Sequence, residues 1–312
     1  MSRSCLVCLI LLAPLGASAQ DPAPTPSPKP AASPAAPEKP VQLRYDFEHL
    51  AGHVATYRIQ TTIRQSKQVV GRDEIERGKG GPKGRERGEG EADSTTRQTY
   101  ELRFERGERG LGTVHMTPRR IEASLEENGR VAYRFDSDEG REAPAGLRAM
   151  TENLGKTAVL SVTPRGEVKN VRGVKVSERK AYKANFHELP ERALTLGKGW
   201  ETKDKQPIPP FGYLNYFTSF RLEACEPGPE GRGTRYRIGA KMVITYEGVA
   251  PTQDSRLELT GQEGTGQLVF DERGLLVEEK LKSKVVLKIS GTAGSEVHTV
   301  ESETVRWLSA LR

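Results

Sequence analysis

The chain has 312 residues, 35 % hydrophobic and 6 % aromatic, and carries 48 Lys+Arg against 42 Asp+Glu for a net charge of +6. So even a balance excludes a basic nucleic-acid-binding chain, and 3 cysteines exclude a disulfide scaffold.

Met1–Arg3, the apolar run CLVCLILLAPLG and the small tripeptide Ala17-Ser18-Ala19 read as a secretory signal peptide over 1–19, cleaved between Ala19 and Gln20. The run is too short to span a bilayer, and Cys5 and Cys8 come too early for lipidation. The expected product is therefore exported, periplasmic or extracellular, with no transmembrane anchor after cleavage. Cleavage leaves Cys225 as the lone cysteine, a small strand residue with no activating base in its sequence neighbourhood. Residues 20–40, rich in proline and alanine, read as an extended, disordered linker.

From Val41 onward, alternation dominates. Tyr57, Ile59, Thr61 and Ile63 share one strand face, as do Tyr100, Leu102 and Phe104. Ile121, Ala123 and Leu125 lead through Asn128-Gly129, a hairpin signal, to Val131, Tyr133 and Phe135. Later come the stripe Tyr236, Ile238, Ala240, Met242, Ile244 and Tyr246, and a strand with Leu275, Val277, Leu281, Val285, Leu287 and Ile289 facing away from its lysines. At roughly 3.3 Å per residue the latter would run about 50 Å, which suits a coiled sheet. Half-buried strands of this kind imply antiparallel sheets.

Between them, the glycine-rich and nearly charge-balanced segment 71–95 reads as a solvated, disordered loop. Two short helices are expected, over 144–155 (Leu147, Met150, Leu154 inward) and 177–190 (Tyr182, Phe186, Leu189 inward), closed by Gly155 and Pro190. The fold class is thus mainly β with few short helices, in curved antiparallel sheets forming two related half-barrel-like units, 41–160 and 161–312.

The series GRVAYRFDS, LRAMTENLGKTAVLSVTPRGEVKNVRG, LPERALTLGKGW and GTGQLVFDERGLL resembles a family of exported bacterial β-rich proteins known as a domain of unknown function. The resemblance implies export and architecture but no mechanism, and segment 71–95 departs from the family's spacing as an insertion. A more distant, fold-level analogy is to the half-barrels of periplasmic lipoprotein carriers.

No constellation of residues points to catalysis, a metal or a cofactor. His49 and His53 are four apart but run into a strand, and Asp136, Asp138, Gly140 and Glu142 are out of register for a calcium loop. No nucleophile elbow is present, and GKGGPKG lacks the ending of a phosphate-binding loop. The feature that suggests binding is PPFGYLNYFTSF: Phe211, Tyr213, Tyr216, Phe217 and Phe220, just beyond Trp200, either line a pocket or fill the core. The excess positive charge between Arg165 and Lys205 suits an anionic envelope polymer or lipid headgroup, or an ordinary solvated face.

Three functions stay open. The first is an exported, non-enzymatic protein binding an apolar or amphipathic envelope ligand, such as lipid, or a protein partner. The second is an interaction module without a small-molecule pocket. The third is a hydrolase whose acids are not evident. An interior cavity near Trp200 and Phe217 would select the first, and a filled interior with a basic or aromatic patch the second.

Overall fold

The computed structural model describes residues 40–70, 90–209, 211–231, 233–248, 256–291 and 294–312. The expected signal peptide with Ala19 and Gln20, the expected linker up to residue 39 and residues 71–89 lie outside the described residues.

Among the described residues the alternating stretches form twelve strands in one sheet. They are β1 (Val54–Val70), β2 (Gly90–Arg106), β3 (Gly112–Glu127), β4 (Arg130–Asp136), β5 (Ala158–Val162) and β6 (Val168–Arg172), followed by β7 (Gly199–Ile208), β8 (Gly212–Pro227), β9 (Thr234–Gly248), β10 (Arg256–Asp271), β11 (Leu276–Gly291) and β12 (Gly294–Leu311). The sheet order is β6-β5-β3-β2-β1-β12-β11-β10-β9-β8-β7, with β4 beside β3. Every pairing is antiparallel. It is an open, curved sheet rather than a closed barrel.

Two expectations change. Gly90–Thr95 belong to β2 rather than to the charged loop, because the β1–β2 ladder continues outward, placing Asp93 opposite Arg64. β5 runs across residue 160, since Ala158–Val162 pair with the start of β3. The turn at Asn128-Gly129 forms as expected, both residues at positive φ (51° and 73°) in the geometry that joins twisted strands most tightly.

Curvature has local causes. Register shifts interrupt the ladders at Thr56/Tyr57, Thr99/Tyr100, Leu222/Ala224 and Leu259/Gly261, each an extra residue that bends its strand. At Gly266 a side chain would collide with Leu281 across the pairing, so only glycine lets β10 and β11 coil so closely there.

Helices are shorter than the spacing predicts. α1 (Phe47–Leu50) is capped by Asp46, whose carboxylate accepts from the backbone N–H groups of Glu48 and His49. α2 (Arg148–Thr151) and α3 (Arg179–Lys183) each follow one 3-10 turn, Ala145–Leu147 and Val176–Glu178. The expected apolar residues are still the inward ones. Leu147 is buried with Met150 and Leu154 packed beside it, while Tyr182, Phe186 and Leu189 join the main core.

That core lies on the concave face. The segment 41–50 and the connection 173–198 from β6 to β7 lie over it, contributing Leu43, Tyr45, Phe47 and Leu50, then Tyr182, Phe186, Leu189 and Leu194. The connection joins the two outermost strands of the sheet and acts as a strap. Its end is fastened to the first segment by the reciprocal Val41–Leu194 backbone pair.

Candidate functional site

Strand alternation divides the six aromatic candidates. On β8 the even positions face inward. Phe220 is buried and stacks on Trp200 of β7 (centroids 4.9 Å apart), and Tyr216 is buried, its hydroxyl donating to Gln206 Oε1 at 3.2 Å. Burial, with Asp204 adding to it, pushes the Tyr216 phenol up to about 12. The odd positions face outward, where the Lys203 ammonium lies 4.8 Å from the Phe217 ring and that of Lys205 4.2 Å from Tyr213. Phe211, in the turn before β8, and the half-buried Phe217 both pack against the second apolar cluster, to which Tyr216, Leu214, Met242, Ile244 and Leu287 belong. The six residues thus serve two faces and a turn rather than one pocket.

Trp200 is half-buried and has a specific task. Its indole N–H donates to the Glu188 carbonyl in the strap at 2.9 Å. The stretch from His187 to Trp200 is therefore a connector that ties itself to the strand it enters.

The concentrated chemistry lies deeper. Cross-strand register places one row of inward residues side by side: Gln98, Ile59, Arg306, Glu279, Leu268, Ile238 and Leu222. Arg306 and Glu279 are direct neighbours and the two charged members of this row, and both are buried (7 % and 2 % exposed). Arg306 Nε is 3.0 Å from Glu279 Oε2, while His187 Nε2, descending from the strap, is 3.1 Å from Glu279 Oε1. Arg306 Nε and Glu279 Oε2 approach at angles off those of a hydrogen bond, so the attraction of that pair is chiefly between charges. Arg306 also donates through Nη1 to the Asn185 carbonyl of the strap, at 3.1 Å.

Burial alone would raise the Glu279 carboxyl. The Arg306 guanidinium and His187 more than reverse this and hold it at about 2. Burial likewise opposes the charge on Arg306, and Glu279 more than restores it, so the guanidinium stays firmly protonated. Tyr45, Tyr57 and Tyr100 surround the cluster with phenols raised by burial, Tyr100 to about 12. Tyr57 donates to the Leu276 carbonyl at 2.7 Å, and Tyr45 accepts from the His187 backbone N–H at 3.3 Å.

Two spaces flank the cluster. One, lined by His187, Thr218, Phe220 and Met242 among others, and one lined by Tyr57, Tyr100, Asn185 and Arg306 among others, have volumes of about 10 Å³ each. That is room for about one water and not for an acyl chain. In this arrangement Glu279, Arg306 and His187 hold a strap to a sheet, and their polar groups are spent on one another.

The sequence reading missed Glu279 and Arg306, yet the pattern contains a signal. Glu279 has the parity of Val277 and Leu281, and Arg306 that of Leu308, so each is a charge on an apolar face. Other acidic motifs are occupied by their own neighbours. Asp136, Asp138 and Glu122 surround Arg120, and His49 pairs with Asp46. Among the described residues no group of three or more His, Cys, Asp or Glu gathers as a metal site, and no helix is long and apolar enough to cross a membrane. Cys225 is half-buried, its thiol pushed up by that burial.

No family model matches the chain, and no curated protein matches it. Among solved structures the chain is similar to lipovitellin, from a study of its lipid–protein interactions, at 8 % identity and TM-score 0.44. That match covers 84 % of this chain and 25 % of that one, so the chain spans a quarter of the lipovitellin chain's length. It is also similar to the transport unit of the autotransporter AIDA-I from Escherichia coli, at 9 % identity and TM-score 0.21, over 81 % and 90 % of the two chains.

Proposed function

We propose that this chain is an exported, non-enzymatic interaction module that binds an envelope component or a protein partner through its surface. The observation that carries the reading is the filled interior. The strap lies over the concave face, and the spaces left beside the buried Glu279–Arg306–His187 cluster have room for about one water each. Catalysis is disfavoured by the same geometry, since the buried cluster of Glu279, Arg306 and His187 is sealed and its members are partnered with one another.

A second reading has one observation in its favour. Edge strands β6 and β7 do not pair with each other, so the concave face is closed by a strap rather than by a ladder. An amphipathic ligand would enter by lifting that strap.

Titration of the delipidated protein with a monomeric fluorescent fatty acid separates the two. The module reading expects no saturable binding and no rise in melting temperature. Stoichiometric binding with a raised melting temperature would overturn it in favour of an interior ligand.

A further inference from the structure

The strap has an outer side that the core does not explain. Over 176–183 the 3-10 turn and α3 send Glu178 and Tyr182 one way, followed by Phe186, with Tyr182 and Phe186 buried in the core. The opposite side carries Val176, Arg179 and Lys183 at i, i+3 and i+7, all exposed, with Arg172 at the end of β6 exposed beside them in sequence. Val176 is 75 % exposed, the most exposed of the three large hydrophobic residues that stand out on the described surface.

The charges on this side are uncompensated among the described residues, as are some others such as Arg134, Lys241 and Lys288, but here they flank the most exposed large hydrophobic residue of the described surface. The β11 lysines Lys280, Lys282 and Lys284 have glutamate partners on β12, and within the strap Lys175 pairs with Glu152 and Lys180 with Asp204. The side chains of Arg172, Arg179 and Lys183 make no ion pair or hydrogen bond to any described residue. An uncompensated positive surface built around a bare aliphatic side chain attracts anions and gains by placing that side chain in an apolar layer.

We propose that this outer side of the strap docks on an anionic phospholipid bilayer. Arg172, Arg179 and Lys183 meet the phosphates, and Val176 enters the headgroup boundary. Charge complementarity alone would admit a soluble polyanion. The exposed valine favours the bilayer, because only the bilayer offers it a drier environment. The inference rests on the surface-binding reading above and names the partner class and the place.

The test is vesicle flotation of the full chain with phosphatidylglycerol/phosphatidylcholine vesicles against pure phosphatidylcholine. Binding is expected to the anionic vesicles only, weakening as salt rises. Arg179→Gln with Lys183→Gln should weaken it roughly 25-fold, about fivefold per charge removed. Val176→Ser should weaken vesicle binding but leave retention on heparin unchanged. Lys282→Gln with Lys284→Gln, which removes paired lysines, should match the wild type. All these positions are exposed or half-exposed, and unchanged denaturation midpoints would show that the variants fold.

Equal binding to both vesicle types, no binding to either, or no effect of the Arg179/Lys183 pair would overturn the proposal. A Val176→Ser variant indistinguishable from wild type would overturn it in favour of a polyanion. None of these results touches the fatty-acid titration, so the surface-binding reading falls or stands separately.

Discussion

Strands β11 and β12 carry opposite charges on both of their faces. On the outer face Lys280 and Lys282 lie 3.2 and 3.4 Å from Glu303, and Lys284 lies 2.8 Å from Glu301, all in contact with solvent. On the inner face Glu279 meets Arg306 and His187 at comparable distances, but out of solvent. Residue types and spacings are alike, and the consequences differ because bulk water screens one set while burial removes the other from it. The outer ladder adds solubility and little stability. The inner cluster had to be desolvated to form, and losing one member leaves a buried charge alone. It therefore specifies where the strap lies, since only one placement brings His187 and the Asn185 carbonyl to Glu279 and Arg306.

The comparison can be broken most directly at Glu279. Glu279→Ala should lower unfolding free energy by about 3–5 kcal/mol, because Arg306 is left buried without a counter-charge. Chemical denaturation checks this, and a loss below about 1 kcal/mol would mean that water already reaches the cluster.

Acid should act on the same group. Its carboxyl is held at about 2 in the folded chain against 4.5 for a free one, so the unfolded state binds the proton more readily. The stability it confers is complete above pH 4.5 and disappears as pH falls through about 2. Between those limits the wild type should lose stability more steeply than Glu279→Gln. Parallel curves would contradict the ionised, buried carboxylate.

A smaller effect is expected where the strap ends. Trp200→Ala should cost about 2 kcal/mol, less than for a fully buried indole, through loss of the Phe220 stack and the Glu188 hydrogen bond. Trp200→Phe should recover about half of this by keeping the ring contact. Smallest of all, Lys284→Gln on the outer ladder should leave the denaturation midpoint where it was, and a clear shift would show that exposed pairs matter more here than screening allows.

Much of the architecture was legible because a strand's period of two survives any tertiary context. Tyr100, Leu102 and Phe104, or Ile238 through Ile244, face the core as their alternation says. The Asn128-Gly129 turn was legible for a local reason, positive φ at both positions. The aromatic run after Trp200 was less so, because crowding in sequence ignores alternation, and β8 sends Tyr216 and Phe220 to one face and Tyr213 and Phe217 to the other. Glu279 and Arg306 were visible only as charges out of phase with their strands. What they meet there depends on pairing between β11 and β12 and on a strap residue more than ninety positions away from Glu279 in sequence.

By itself, then, the sequence determined that this is a β protein of long one-faced strands, and which residues of each strand turn inward, because periodicity and turn chemistry are local. Only the tertiary structure decided that the strands join one open sheet, that the connection between its two edges becomes a strap, and that the strap is held by a desolvated ion cluster. Those outcomes depend on register and curvature summed over many pairings, and on the dielectric each charge ends in, which no local window of sequence contains.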